Sequence, residues 1–355
     1  MLLNIGIHYA PLKQFQPRLV RYEKILEHNG LKSIRMCSSE MDFWEQVKDL
    51  DLFIYCWEQW DSERQNAKAI LPIIEQELQI PCFPNQRTYW MFDDKIREYY
   101  LMLAHGFPMA KSWIFWEKDV AHQWADDINL PVVFKLSGGA GSKNVILIKN
   151  RIHLKKMINI MFAKGISDSA IQSSDSLAPG YYMRIRRNLA MMKRRLFKQQ
   201  IPHRFIAPNW LIHKNYVLFQ EYLPGNNYDT RVTIIGNRAF AFRRFNRDGD
   251  FRSSGSGKID YDVHNIDMNF VHKAFEISLI CGFQSMAYDF LYGSNGDIKF
   301  CEMSYAYIDK AIFNCPGYWD NNLDWHEGHF WPQYFHLMDA LNISELKQPE
   351  DLSDN

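Results

Sequence analysis

The chain has 355 residues, of which 47% are hydrophobic and 15% aromatic. That length supports two or three structural units with an ample core, and the aromatic content argues against a disordered chain. Lysine plus arginine and aspartate plus glutamate both number 41, so no global charge directs the protein to nucleic acid.

The six cysteines, Cys37, Cys56, Cys82, Cys281, Cys301 and Cys315, are scattered without a C-x-x-C pair. Free, buried thiols in a reducing compartment are the expectation. The N-terminus lacks a basic flank with a long apolar core, and no apolar run approaches bilayer-spanning length. We therefore expect a cytoplasmic protein with no transmembrane segment.

Residues 1 to about 84 alternate short apolar runs with helical patterns. Leu2 to Ile7 reads as a strand, and Pro17 to His28 as a helix closed by Asn29-Gly30. Leu31 to Met36, Leu52 to Trp57 and Ile80 to Phe83 read as further strands. Asp61 is a candidate cap for a helix running to about Leu78. The order predicts a small α/β unit with a parallel sheet, serving either as scaffold or as a substrate-side wall. Thr88 to His105 reads as a helix containing Asp93, Asp94 and Lys95, and Gly106-Phe107-Pro108 stops it. Ala110 to Trp116 follows as a strand and Asp119 to Ile128 as a helix.

Pro131 to Lys149 reads PVVFKLSGGAGSKNVILIK. An apolar strand ends in Lys135, a small-residue loop follows from Ser137 to Ser142, and Val145 to Ile148 returns as a strand. Two readings stand: an ordinary hairpin with a flexible turn, or a flap whose backbone N–H groups close over phosphates. The P-loop order is absent, because Lys143 stands five residues after Gly138 and Asn144 five after Gly139. The dinucleotide fingerprint needs a helix after its glycines, and β-branched residues follow here. A protein-kinase glycine loop precedes its lysine, whereas this one follows Lys135.

From residue 150 to about 215 the pattern is less regular. Ser167 to Gly180 is polar and reads as a loop. Arg184, Arg186, Arg187, Lys193, Arg194, Arg195, Lys198 and Arg204 follow with no acid between them. Leu189, Met192 and Leu196 give them a narrow apolar stripe at helical spacing. A solvated basic helix accounts for this run, and so does a surface for an anionic acceptor, lipid headgroups or nucleic acid.

Two hairpins carry the chemistry. Val217 to Leu223 is a strand that breaks at Pro224-Gly225, suited to a hinge. Asp229 to Asn246 alternates around Gly236-Asn237, and a two-residue turn there sets Asp229 opposite Arg244 and Arg231 opposite Phe242 on one side of the ribbon. Arg243 points to the other side. Ser285 to Tyr292 and Ile298 to Met303 are joined through Asn295-Gly296, a strong hairpin signal. Centring the turn there sets Asp289 opposite Glu302, with Ser304 two residues further on the same face. Like charges so placed repel, and a separation of roughly 5 Å between Cβ atoms suits carboxylates shared by Mg²⁺. The alternative is a slipped register or an acid turned to solvent.

In this order the pieces resemble the ATP-grasp superfamily, in the manner of glutathione synthetase and the ribosomal-protein glutamate ligase. They are DDK at 93–95, VVFKLSGGAGSKNVILI at 132–148, FQEYLPG at 219–225, DTRVTIIGNRAFAFRR at 229–244, YDF at 288–290 and CEMS at 301–304. The resemblance implies an α/β (α+β) protein. A parallel-sheet N-terminal domain (1–87) precedes an ATP-grasp fold of two α+β subdomains clasping ATP. The first of these spans 88–215, with the flap and a basic insertion at about 165–215. The second spans 216–346 with the metal site, and an acidic tail (347–355) is expected to fray.

It implies Lys95 and Lys135 as the lysines on the α- and β-phosphates, and Gly138, Gly139, Ala140, Gly141 and Ser142 as the flap. Gln220, Glu221, Tyr222 and Leu223 resemble the adenine-binding linker, and Asp229 a ribose ligand. Arg231 and Arg244 resemble the cations near the γ-phosphate and the acyl group. Asp289, Glu302 and Ser304 stand at the Mg²⁺ ligand positions, although Ser304 replaces the usual asparagine. The implied activity is an ATP- and Mg²⁺-dependent ligase joining a small-molecule carboxylate to an amine, or to a thiol, through an acyl phosphate, with release of ADP and phosphate. The acceptors it allows include an amino acid and a cell-surface polymer precursor. A kinase on the same fold and an ATP-binding module without turnover are the alternatives. No nucleic-acid partner is expected. The segment from Cys315 to His329 lacks H-E-x-x-H and reads as a cap on the core.

Overall fold

A computed structural model describes residues 3–11, 16–56, 60–139, 144–167, 210–349 and 352. The chain begins with β1 (Asn4–His8), α1 (Pro17–His28), β2 (Lys32–Met36), α2 (Phe43–Val47), β3 (Leu52–Tyr55), α3 (Asp61–Pro72) and β4 (Cys82–Phe83). The four strands run parallel in the order β2-β1-β3-β4. β3 is apolar and buried throughout, as a parallel strand covered on both faces requires.

Two helices depart from their sequence reading. Trp60, not Asp61, occupies the cap position of α3, and the buried Asp61 carboxylate turns to other partners. After Pro72, which has no N–H to give, the helix widens into a π-type turn over Ile73–Glu77, where Leu78 N donates to the Ile73 carbonyl at 3.0 Å. The helix expected over Thr88 to His105 is two helices, α4 (Gln86–Trp90) and α5 (Lys95–Ala104). Between them Asp93 is left-handed (φ 52°), and the Asp94 carboxylate caps α5 by accepting from Ile96 N and Arg97 N, both at 3.2 Å. Aspartates favour caps and turns over helix interiors, so the paired acids break the helix and start the next.

The middle of the chain supplies β5 (Ser112–Phe115), α6 (Lys118–Asp127), β6 (Val132–Lys135), β7 (Ile146–Ile148), α7 (Arg151–Met161), β8 (Ile166–Ser167), β9 (Ile212–His213) and β10 (Val217–Glu221). An antiparallel sheet forms in the order β5-β10-β6-β7. Helices α6 and α7 close its core through Ala121, Ala125, Leu154, Met157, Ile158 and Met161. Helix α7 lies in the stretch without a regular reading, yet Leu154, Met157, Ile158 and Met161 form a buried helical stripe. The basic run Arg184, Arg186, Arg187, Lys193, Arg194, Arg195, Lys198 and Arg204 lies outside the described residues.

The remainder forms β11 (Tyr228–Ile235), β12 (Arg238–Phe245), β13 (Ile259–Asp260), α8 (Met268–Cys281), β14 (Ser285–Tyr292), β15 (Ile298–Ser304), α9 (Asp309–Phe313), β16 (Gly317–Asp320), β17 (Trp325–Glu327) and α10 (Pro332–Leu341). Seven strands join in one sheet, β15-β14-β11-β12-β16-β17, with β13 also on β12. One face packs Val232, Ile234, Tyr288 and Phe290 against Phe270, Val271, Ala274 and Ile277 of α8. The other face packs Phe240 and Phe242 with Phe335 of α10. The β16–β17 hairpin caps this sheet, and His326 reaches Asp320 at 2.8 Å.

The C-terminal residues return to the first sheet. Leu337, Leu346 and Leu352 share a core with Ile5, Ile7, Tyr22 and Ile25. The loose tail expected after Leu346 is held where it is described: Lys347 N donates to Asn29 Oδ1 at 2.7 Å, and Arg21 Nε to the Leu352 carbonyl at 3.2 Å. None of the six cysteines forms a disulfide. No described helix is long and apolar enough to cross a membrane.

Candidate active site

Four adjacent strands of the large sheet carry charged residues in a row. Arg244 on β12 pairs with Asp229 on β11, and Arg231 on β11 with Asp289 on β14. Asp289 in turn lies opposite Glu302 on β15. The β11–β12 register is the one set by a turn at Gly236-Asn237. The β14–β15 turn differs from its sequence reading. It is a three-residue loop closed by Gly293 N donating to the Asp297 carbonyl at 2.7 Å, with Gly296 left-handed (φ 77°). That shortens the pairing sum by one near the turn, and an irregularity beside Asp289, with Cys301 as the extra residue, restores it. The two acids therefore meet despite the different turn.

Arginines hold the aspartates. Arg244 donates twice to Asp229, both at 2.7 Å, and its Nη2 lies 2.6 Å from Asp289 Oδ2. Arg231 forms a second fork on Asp289 at 2.7 and 2.8 Å. Burial opposes the ionised form of Asp289, but Arg231 and Arg244 outweigh it and hold the carboxyl below the usual range.

Two lysines approach from the other elements. Lys95, the first residue of α5, sits 3.0 Å from Glu302 Oε1 and donates to the Gly139 carbonyl at 3.1 Å. Burial works against its charge, yet Glu302, Asp93 and Glu98 raise its pKa above the usual lysine range. Lys135 ends β6 and is mostly buried, and its side chain makes no hydrogen bond or ion pair among the described residues. It lies close enough to Glu302 to lower the carboxyl's pKa, together with Lys95 and against burial.

Gly138 and Gly139 are fixed at the start of the glycine loop. Gly139 N donates to Asp93 Oδ1 at 2.7 Å, and Ser137 N to the Tyr216 hydroxyl at 2.8 Å. Ala140, Gly141 and Ser142 lie outside the described residues. In the linker, Gln220 and Glu221 spend backbone groups in the sheet, and Gln220 Nε2 donates to Ser112 Oγ at 3.2 Å. Tyr222 and Leu223 extend past the strand end, with the Tyr222 ring edge-on to Phe251 at 5.8 Å.

The donor set Asp289, Glu302 and Ser304 is all oxygen, which fits Mg²⁺. Its carboxylates are taken by Arg231, Arg244 and Lys95, and no group of three His, Cys, Asp or Glu forms a metal cluster among the described residues. Ser304 Oγ accepts from Ala306 N at 3.2 Å, so the shorter hydroxyl also serves the backbone.

Sequence reasoning passed over three residues here. Glu98 is buried one turn after Lys95 and accepts from Met303 N at 3.2 Å; burial pushes its pKa up to about 8, against the pull of Lys95. Arg252 reaches the Val145 carbonyl at 3.4 Å from the loop after β12. Arg64 binds Asp93 and Asp61. Only Glu98 had a local signal, as an acid on the inward stripe of α5.

No family model and no curated protein matches the sequence. Solved structures do. The ADP complex of N5-carboxyaminoimidazole ribonucleotide synthetase matches 98% of this chain and 80% of its own, at TM-score 0.60 and 9% identity. An ATP-grasp protein with a RimK domain from Sphaerobacter thermophilus matches 87% of this chain and 93% of its own, at TM-score 0.52 and 10% identity. The chain has the ATP-grasp fold. D-alanine–D-alanine ligase from Bacillus anthracis shares it, at TM-score 0.52 and 13% identity over 85% of this chain and 86% of its own. At these identities the likeness is one of fold, and the charged row across β12, β11, β14 and β15 belongs to this chain's own residues within the ATP-grasp frame.

Proposed function

We propose that the protein is an ATP- and Mg²⁺-dependent ligase that activates a carboxylate as an acyl phosphate and passes it to an amine. The observation that carries this reading is Lys135: a side chain on a mostly buried residue that makes no hydrogen bond or ion pair among the described residues, although it lies near Glu302 in the row of paired charges. An ammonium in a largely desolvated site without a direct ion pair favours an anion, and a nucleotide phosphate fits.

Lys95 and Lys135 hold the α- and β-phosphates, with the glycine loop above them. Tyr222 and Leu223, at the end of the linker, take the adenine edge, and Asp229 faces the ribose. Asp289 and Glu302, with Ser304 beside them, would hold Mg²⁺, which would supply charge neutralisation at the phosphates. Arg231 and Arg244 turn from Asp289 to the transferring phosphoryl group and the acyl oxygen. A substrate carboxylate oxygen attacks the γ-phosphorus, the bond to ADP breaks, and an acyl phosphate forms. The amine lone pair then attacks the acyl carbon, phosphate leaves with the C–O electron pair, and the ammonium proton passes to solvent. No protein nucleophile is required; positioning and charge do the chemistry.

The test is ADP release against paired carboxylates and amines, repeated with hydroxylamine in place of the amine. A hydroxamate is expected, because hydroxylamine intercepts an acyl phosphate. Formation of a stable phosphorylated alcohol with no hydroxamate would make the protein a kinase and overturn the ligase reading.

A further inference from the structure

The start of the glycine loop is held from a place remote in sequence. Helix α3 of the parallel-sheet unit opens with Asp61 and carries Arg64 one turn later. The Arg64 guanidinium spans two carboxylates, with Nη2 on Asp61 Oδ1 and Nη1 on Asp93 Oδ2. Arg64 is buried, Asp61 fully so, and Asp93 is only slightly exposed. The other oxygen of Asp93 accepts from Gly139 N, and the other oxygen of Asp61 accepts from Trp210 N and Leu211 N at 2.5 and 2.8 Å. One arginine thus joins α3, the turn before α5, the glycine loop and the approach to β9.

This chain of contacts ends on Lys95. Lys95 N donates to the Ser137 carbonyl at 2.8 Å, and its Nζ to the Gly139 carbonyl. Asp93 lies two residues earlier, in the left-handed conformation that turns its carboxylate back toward the loop. Gly138 lies directly over the pair: a Cβ there would come within 3.2 Å of both Arg64 Nη1 and Asp93 Oδ2. A buried arginine between two aspartates is a poor source of net stability, because desolvation offsets its attraction. Its geometric use is to fix register.

We propose that Arg64 and Asp93 are positioning residues that set Lys95 and the Ser137–Gly139 backbone for nucleotide phosphate, and that they tie this site to the N-terminal sheet. The proposal rests on the ATP-site reading above. They act through Lys95 and the loop backbone and touch no phosphate themselves.

Two measurements on the whole chain test it. The first is nucleotide-free hydrogen exchange of the peptide spanning 137–139 in the wild type, Arg64→Ala, Arg64→Lys and Asp93→Asn. Exchange is expected to rise about tenfold in Arg64→Ala and Asp93→Asn, and Arg64→Lys to recover part of the protection, with β1 and β3 peptides unchanged. The second is ATP affinity by calorimetry. Each single variant is expected to weaken binding about tenfold, and the Arg64→Ala/Asp93→Asn double variant no more than either alone, the mark of one coupled unit. Unchanged loop exchange, or additive losses in the double variant, would overturn the proposal. If the wild type binds no ATP, the ATP-site reading fails by itself, and the exchange result alone decides whether the Arg64–Asp93 contact fixes the loop.

Discussion

Asp289 and Glu302 face one another across β14 and β15, and each is neutralised from a different direction: Asp289 by Arg231 and Arg244 of the same sheet, Glu302 by Lys95 from α5. The two carboxylates stay ionised side by side because separate cations hold them, and a divalent cation would replace both sets at once.

Asp289→Asn keeps the shape and removes the charge. The Mg²⁺ concentration for half-maximal ADP release should rise at least about tenfold, as for loss of a charged ligand, whereas Ser304→Ala should change it less than about threefold. Parallel Mg²⁺ titrations of both variants check this, and an unaltered Asp289→Asn curve would count against the acid pair as ligands.

The two lysines should separate binding from stability. Lys135 has no partner among the described residues, so Lys135→Ala should lose ATP affinity while its urea midpoint holds or rises. Lys95→Ala also strips Glu302 of its counter-ion and should lose both. Calorimetry and urea unfolding on the same preparations tell the two apart; equal destabilisation by both substitutions would contradict the difference in their surroundings.

Legibility in the sequence tracked the range of the interaction. Hairpins that carry Asp229, Arg231, Arg244, Asp289 and Glu302 are local, so alternation and turn residues revealed which side chains share a face. Even there the turn was misread: Asn295-Gly296 suits a two-residue loop, but the Gly293–Asp297 hydrogen bond closes a three-residue one, and the extra Cys301 cancels the error. The Arg64–Asp93 contact, 29 residues apart, joins two units and leaves no periodic trace. Asp94 did have a signal, an aspartate just ahead of the apolar stripe of α5, and reading it as a cap would have split the long helix correctly.

Asp309 anchors the end of the chain to its beginning. Its carboxylate accepts from Arg18 at 2.6 and 3.2 Å, from Arg21 at 3.2 Å and from Gln333 at 2.7 Å. Asp309→Ala leaves two arginines without their shared acid, and the expected loss is about 3–5 kcal/mol in urea unfolding. A loss below about 1 kcal/mol would mean that the cluster is solvated like a surface pair.

Acid should weaken the fold through two buried histidines. Burial holds His8 at about 3, and burial together with Arg18 holds His336 well below its ordinary value. The unfolded chain takes up both protons near pH 6.5, so their contribution is complete above that value and declines as pH falls, for His8 down to about 3. Between pH 7 and pH 5 the His8 share should cost about 2 kcal/mol, and His336 acts in the same direction. His8→Phe, which can keep the stack on Tyr55, should remove the His8 share of this decline. Urea midpoints at the two pH values give the comparison, and an equal decline in the variant would assign the acid sensitivity elsewhere.

Helix α10 and Leu352 complete the core that β1 and α1 begin, with Tyr22 bonded to His336 at 2.8 Å. During synthesis the first sheet therefore forms with one flank bare, and it stays so until about 250 further residues have been made, from Phe83 to Pro332. The parallel-sheet unit is translated before α10 and is sealed only once α10 is made. Cut away from the rest, it would expose Tyr22 and Phe83, which pack on His336 of α10, to water and to one another's copies. Its folding is thus timed by a helix far along the sequence, so that a chain interrupted before α10 cannot cover the parallel-sheet unit.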